Sequence, residues 1–381
     1  MTIPVESYLL AIAAGNIVEA QVGPRTFVLS EPEMIDKIKA ELANLENAVI
    51  KAEEYFTPYI WGVYKVLILP PSFPFGGMEN PLLTFMSPTH IVGDGSSFSV
   101  FIHEINHSWF GNLVTNENWS HFWLNEGIDR WAERKIDSII YGNDFSMVSA
   151  KLGNESMYSA MLDYGLDSNF SSLHPVFNGL HPDKAFSSIP YEKGYQFIYY
   201  IEQLVEPANF QTFLRQYINE FAQKSINSDD FRAYFEAFVR KTFTKEKSTE
   251  ILSLIDWEAW LTKPGLPPVR LDFNTPEYTA AVALANNYIN GQASIPGAKE
   301  QYDKWDVNLK NLFITQFIKH SPTVSADLVT VVDNDLHISQ ELNSNILTKW
   351  YTLDIKSCHQ PSPFSVSDNF VGSIGKMSAV T

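Results

Sequence analysis

Two histidines and two glutamates near the middle of the chain have the residue types and spacing of a metal centre. His103 and His107 flank Glu104 in the stretch HEINH. Residues four apart share one face of a helix, so both imidazoles could reach a single divalent ion. Imidazole and carboxylate suit zinc, and a catalytic zinc ion takes three protein ligands and a water. Glu126, which lies 19 residues after His107 in a second helical stretch, is the predicted third ligand.

Glu104 is the predicted general base, because it lies one step round the helix and could face the water on the metal. The alternative is a pair of surface histidines beside an exposed glutamate. Burying His-Glu-His without a partner is costly, and the apolar residues around the motif favour a buried helix: Phe101, Ile102, Trp109 and Phe110. His121 is a rival ligand, but it lies in an aromatic loop, which favours a hydrogen-bonded core histidine.

Two further stretches could bind a substrate. Phe75–Asn80 (FGGMEN) follows a predicted strand, and paired glycines there would let an extended substrate approach the backbone. Glu79 could pair with a free α-ammonium group, although taken alone the motif favours an ordinary Gly-Gly turn. Tyr191 follows Pro190 at a predicted helix start, where its hydroxyl could stabilise an oxyanion. Residue chemistry alone does not separate it from the other tyrosines.

Composition indicates a globular protein with a net negative charge. The 381 residues are 45% hydrophobic and 19% charged, with a net charge of −17. This charge argues against non-specific binding to nucleic acid or to an anionic membrane, and it would attract a cationic group such as a peptide α-ammonium. Cys358 is the single cysteine, which fits a reducing compartment. We see no secretory signal and no apolar run of membrane-spanning length, so we expect a cytoplasmic protein.

The elements that must position these residues change in type along the chain. The first 30 residues are predicted to form strands, followed by a helix over about 32–56 and a buried strand at Tyr64–Leu69. From Ser97 to about Trp260 the pattern is mostly helical. Lys263–Pro268 (KPGLPP) predicts a stiff linker, and short amphipathic helices follow it.

Four stretches together resemble the gluzincin aminopeptidases, and within them the leukotriene A-4 hydrolase/aminopeptidase group: PPSFPFGGMENPLLTF, HEINHSWFGNLVTNENWSHFWLNEG, SSIPYEKGYQFIYYIEQL and WLTKPGLPPV. The similarity runs from about Pro4 to Lys376. It implies an α+β fold, in which a thermolysin-like catalytic domain is followed by an α-helical superhelix-type domain. The expected divisions are a remnant of an N-terminal β domain at 1–18, the catalytic domain at 19–262, a Pro-rich linker at 263–273 and an incomplete helical domain at 274–381.

The resemblance also implies residue roles. His103, His107 and Glu126 would bind one Zn²⁺ ion, with Glu104 as general base and Tyr191 as proton donor. The substrate loop would consist of Phe75, Gly76, Gly77, Met78, Glu79 and Asn80, and Glu79 would bind the free amine. Asp183 would act in hydrolysis of a lipid epoxide.

Three departures from the family pattern qualify this expectation. Most of an N-terminal β domain is missing. Phe186 stands where the family has a second active-site tyrosine, which weakens the expectation of epoxide chemistry. Near the end of the chain, Lys376 could replace a carboxylate-binding arginine only as a point charge, and Ser378 cannot replace the lysine that follows it.

The favoured hypothesis is a zinc aminopeptidase acting on peptides with a free N-terminus. An epoxide hydrolase acting on leukotriene A-4-like fatty-acid epoxides is the alternative. A truncated, catalytically silent zinc-binding protein is the second alternative.

Overall fold

The computed structural model describes residues 3–291, 294–321, 323–357 and 370. In this part of the chain the strands are β1 (Val18–Gln21), β2 (Thr26–Ser30), β3 (Tyr64–Ile68), β4 (Gly77–Met78), β5 (Thr84–Met86), β6 (Val114–Asn116) and β7 (Lys224–Ile226). The helices of the first part are α1 (Ile35–Glu41), α2 (Leu45–Tyr55), α3 (Phe98–Asn106), α4 (Trp123–Tyr141), α5 (Asn143–Tyr164), α6 (Ile189–Val205), α7 (Pro207–Phe221), α8 (Ser228–Thr242), α9 (Lys245–Ser253) and α10 (Trp257–Leu261). The later helices are α11 (Pro276–Ile289), α12 (Ala298–Tyr302), α13 (Val307–Lys319), α14 (Ala326–Leu336) and α15 (Ser344–Lys356). Short 3₁₀ turns lie at Ser7–Leu9, Pro88–His90, Trp119–His121, Asn169–Ser171, Pro182–Ala185 and Ile338–Gln340.

A five-stranded mixed sheet lies beside the first helices, in the order β1-β2-β3-β5-β4. The inner strands β2, β3 and β5 are parallel, and β1 and β4 pair antiparallel at the two edges. Val28 and Val66 on the inner strands are fully buried. The edge strand β4 consists of Gly77 and Met78 of the predicted substrate loop, and an edge strand keeps one row of backbone groups open for pairing.

The described residues form two main hydrophobic cores. The larger core joins the sheet to the helices up to α10 and includes residues from Val28 to Phe273. The second core lies among α11–α15, from Leu284 to Leu353. Lys193 on α6 links the first core to the segment after α10, because its buried Nζ donates to the carbonyl oxygens of Ser171, Lys263 and Gly265 at 3.0, 3.2 and 2.9 Å.

Several sequence predictions are confirmed and two are wrong. The α+β class is confirmed, and the strand at 64 begins as predicted. The first 30 residues are not strands throughout, because Ser7–Leu9 forms a 3₁₀ turn whose Leu9 carbonyl accepts from Asn80 Nδ2 at 2.8 Å. The helix predicted over 32–56 is two helices, α1 and α2. Within the described residues, every helix is too short or too polar to cross a membrane.

Helices α4 and α6 cross at a contact between two glycines, and this contact brings two predicted site residues together. A Cβ built on Gly127 would lie 2.7 Å from Gly194 Cα, and one on Gly194 would lie 2.6 Å from Gly127 Cα. Only glycine therefore permits this helix separation. Glu126 immediately precedes the first glycine, and Tyr191 lies three residues before the second.

We expect Gly194→Ala to lower the free energy of unfolding by about 1–3 kcal/mol, the usual cost of overpacking. The new methyl group would meet backbone that cannot move aside, which outweighs alanine's advantage of about 1 kcal/mol in helix propensity. Chemical denaturation would measure the change. Gly15→Ala is the control, because a Cβ there meets its nearest neighbour at 3.8 Å. Equal stability of Gly194→Ala and the unmodified chain would contradict the close crossing.

Candidate metal centre and cleft

Helices α3 and α4 bring the three predicted metal ligands to one point. His103 lies on α3, His107 directly follows it, and Glu126 lies in the first turn of α4. The two Nε2 atoms are 3.1 Å apart, and Glu126 Oε2 lies 3.4 Å from one and 3.5 Å from the other. The ligand atoms of these three residues all lie within 4.8 Å of one another. All three side chains are buried, so the arrangement is not a chance cluster on the surface.

Both imidazoles are held by their other ring nitrogen. His107 Nδ1 lies 2.7 Å from the Phe110 carbonyl oxygen, and His103 Nδ1 lies 2.9 Å from Glu133 Oε2. Because these acceptors favour a proton on Nδ1, the Nε2 lone pairs remain available for a metal ion. This is the orientation that a zinc-binding histidine needs.

The charges in this cluster fit a cation. Although burial works against ionisation, the neighbouring His107 and His103 lower the pKa of Glu126 well below its usual range. Burial also favours the neutral imidazole, yet Asp129, Glu126 and Glu133 raise the pKa of His103 well above its usual value. Both shifts show a site whose surroundings favour positive charge between the ligands.

The donor set also fits zinc. Glu104 Oε2 and Glu126 Oε2 are buried without a hydrogen-bond partner among the described residues. Such orphaned buried oxygens are unfavourable unless a ligand or an ion satisfies them. Two imidazoles and one carboxylate are the set that a hydrolytic zinc uses while keeping a position for water.

Glu104 lies against the substrate loop. A Cβ at Gly77 would overlap Glu104 Oε1, so the glycine is what lets β4 lie directly over this carboxylate. Burial raises the pKa of Glu104 to about 8. A carboxyl with a raised pKa is a stronger base than an ordinary glutamate.

Glu79 lies in the same charged group. One carboxylate oxygen of Glu79, one of Glu104 and one ring nitrogen of His107 all lie within 4.8 Å of one another. Its backbone is fixed because Asn112 Nδ2 donates to the Glu79 carbonyl oxygen at 2.8 Å. Burial raises the pKa of Glu79, which indicates a carboxylate that gains from a cationic partner.

Tyr191 lies in the first turn of α6, beside the candidate metal ligand His103. Its ring stacks on the His103 ring with the centroids 6.2 Å apart. Burial, together with Glu126 and Glu79, raises the pKa of Tyr191 well above its usual value. The hydroxyl therefore keeps its proton and can donate a hydrogen bond.

A cleft of about 920 Å³ joins the centre to the substrate loop. Phe75 and Phe186 approach each other in it, with ring centroids 6.4 Å apart. The wall is largely aromatic and includes Tyr8, Phe75, Trp119, Phe122, Phe170, Phe177, Phe186 and Tyr191. Asp183 also lines the cleft, but its side chain is 87% exposed. Its Oδ2 lies 3.3 Å from His181 Nδ1. Lys376 lies outside the described residues.

The rival histidine has a structural role. His121 Nδ1 lies 2.8 Å from Ser228 Oγ, and its ring lies 4.3 Å from that of His174. The prediction of a hydrogen-bonded buried histidine is confirmed.

Sequence reasoning missed three residues that contact the site. Tyr8 lines the cleft, and its hydroxyl accepts from Asn125 Nδ2 at 3.1 Å. Asp129 and Glu133 lie behind His103. Their spacing of three and seven residues from Glu126 places them on the same helix face, a signal that was present in the sequence.

Comparison with known proteins places this geometry in a family. The Peptidase family M1 domain matches residues 41–260, which is more than half of the chain. Leucine aminopeptidase 2 of Aspergillus clavatus is 36% identical over 99% of this chain and 61% of its own length. Leukotriene A-4 hydrolase of Xenopus laevis is 36% identical over 93% of this chain and 58% of its own length.

A solved structure gives the same result for the fold. The structure of yeast LTA4 hydrolase in complex with bestatin matches all of this chain and 63% of the yeast chain, with a TM-score of 0.91 and 30% identity. The prediction of a catalytic domain followed by a helical domain is thereby confirmed. The chain spans about three fifths of the length of these relatives. With the domain match covering more than half of its residues, the chain belongs to peptidase family M1.

Proposed function

We propose that this chain is a zinc aminopeptidase that removes N-terminal residues from peptides. The observation that carries the proposal is the convergence of His103, His107 and Glu126, with the ligand atoms within 4.8 Å, beside the buried carboxylates of Glu104 and Glu79. A hydrolytic centre next to an anionic pocket is the combination that an exopeptidase needs. The relative named leucine aminopeptidase 2 supports the same reaction.

The three ligands would hold the metal, and a zinc ion there would polarise the scissile carbonyl and acidify a water. Glu104 takes the proton from the attacking water and returns it to the leaving amine. Its carboxylate is placed for this role by the direct contact with β4, which a side chain at Gly77 would prevent. The open edge of β4 can pair with the backbone of an extended peptide.

Glu79 would act on the N-terminal amine of the substrate, and Tyr191 would act on its scissile carbonyl group. Glu79 binds the α-ammonium, which fixes the scissile bond one residue from the N-terminus. Tyr191, which keeps its hydroxyl proton, donates a hydrogen bond to the developing oxyanion. Met78 and Phe75 line the cleft beside Glu79 and would contact the first residue of the peptide.

The remaining expectations stay proposals. We propose that the domains divide after residues 18, 262 and 273, and that the protein is located in the cytoplasm.

Epoxide hydrolysis receives less support than peptide cleavage, because Asp183 is largely exposed and Phe186 offers no hydroxyl in the cleft. The silent zinc-binding alternative is disfavoured by the intact arrangement of Glu104 and Tyr191 around the metal ligands.

We expect Glu104→Gln to bind zinc as the unmodified protein does and to lose turnover by about 10²–10⁴-fold, because only the proton acceptor is removed. Zinc content by elemental analysis and hydrolysis of an aminoacyl p-nitroanilide would measure the two effects. Unchanged turnover would refute the mechanism. Zinc bound by both proteins without turnover in either would favour the silent alternative.

We expect an N-acetylated peptide to resist cleavage, because its blocked amine carries no charge for Glu79. The same peptide with a free amine should be cleaved, and Glu79→Gln should reduce kcat/KM for this free peptide. Product release measured by chromatography would compare the two substrates. Efficient cleavage of the acetylated peptide would remove Glu79 from its proposed role.

Tyr191→Phe should lower kcat by about 10²–10³-fold, the usual loss when one oxyanion donor is removed. Tyr195→Phe is the matched control, because Tyr195 lies one turn later on α6 and its buried hydroxyl makes no hydrogen bond within the described residues. Steady-state kinetics on one aminoacyl substrate would compare them. Similar kcat values for the two variants would argue against Tyr191 as the donor.

A further inference from the structure

Asp129 is a buried carboxylate that faces both histidine ligands from behind. It lies on α4, three residues after Glu126, and it is 0% exposed. Its Oδ2 lies 2.8 Å from His103 Nδ1, and its Oδ1 lies 3.7 Å from His107 Nδ1. One side chain therefore reaches the outer nitrogens of both imidazoles, on the side away from Glu126.

Glu133 approaches the same nitrogen but differs from Asp129 in its other contacts. Its Oε2 lies 2.9 Å from His103 Nδ1 in hydrogen-bonding geometry and 2.5 Å from Arg130 Nη1. Glu133 is thus the hydrogen-bond acceptor for His103, and Arg130 balances its charge. In the described part of the chain neither oxygen of Asp129 accepts a well-aligned hydrogen bond, and the basic side chains that it contacts are the two imidazoles.

Once a metal ion is bound, the charge of Asp129 needs a partner that the side chains around it do not supply. A buried carboxylate is strongly unfavourable unless a positive charge lies close to it. Histidines that bind a metal through Nε2 are neutral, so they cannot be that partner once the ion is in place. A divalent cation on the far side of the two rings can be, because its positive charge acts on the carboxylate across both imidazoles.

We propose that Asp129 is a positioning residue for the metal, which lies against the His103 ring and strengthens zinc binding through a charge placed beside both imidazoles. The inference rests on the proposed zinc site. It adds a second carboxylate behind the ligands, which acts on His103 and His107 together, whereas Glu133 acts on His103 alone. Asp129 would not touch the substrate or the water.

The test is the zinc dissociation constant of Asp129→Asn, measured by competition with a chromophoric chelator at one fixed pH. Asparagine keeps the size of the side chain and removes its charge. We expect the zinc dissociation constant to rise about 10–100-fold, the usual effect of losing such a partner. If this variant does not fold, Asp129→Ser removes the same charge with a smaller group and is measured in the same way.

Asp137→Asn is the matched control for charge, helix and burial. Asp137 is also on α4 and 0% exposed, but its Oδ1 accepts from Ser99 Oγ at 3.1 Å. We expect its zinc affinity to equal that of the unmodified protein. Unchanged zinc affinity in Asp129→Asn, or an equal loss in both variants, would overturn the inference. Absence of zinc binding by the unmodified protein would instead overturn the proposed function on which the inference rests.

Discussion

Negative charge buried between α3, α4 and β4 is the constraint on which the rest of this structure depends. Glu79, Glu104, Glu126 and Asp129 are all at most 7% exposed. Such a group of carboxylates can stay folded only if protons or cations occupy the space between them. The raised pKa of Glu104 and the lowered pKa of Glu126 are two outcomes of this one constraint, because burial prevails at Glu104, whereas the two imidazoles at 3.4 and 3.5 Å together outweigh burial at Glu126.

Close backbone approach is what makes this cluster geometrically possible. Gly127 and Gly194 let α4 and α6 touch, and the neighbouring Glu126 and Tyr191 both line the cleft. Gly77 performs the same function between β4 and Glu104. At each of these points a methyl group would separate an element from its neighbour. Three residues without side chains thus set the distances between the residues that carry the chemistry.

The two histidines of the candidate metal centre could be predicted from the sequence, because their arrangement follows from local geometry. Spacing of four at the end of one helix places His103 and His107 on the same face. Tyr8 could not be predicted, since its position depends on a 3₁₀ turn that is held by a distant asparagine. The break between α1 and α2 could not be predicted from the sequence either. Leu42 and Leu45 are both fully buried on either side of it, so the apolar period continues across the break.

The side chain of Lys193 attaches helix α6 to the segment after α10 without needing particular side chains on that segment. Its ammonium group bonds to three main-chain oxygens, those of residues 171, 263 and 265. Every residue type supplies such an oxygen. Substitutions at those three positions can therefore leave the attachment of this segment to α6 intact as long as the backbone path is kept. The three acceptor positions can therefore vary in residue type, whereas the donor position requires a lysine or another long cationic side chain.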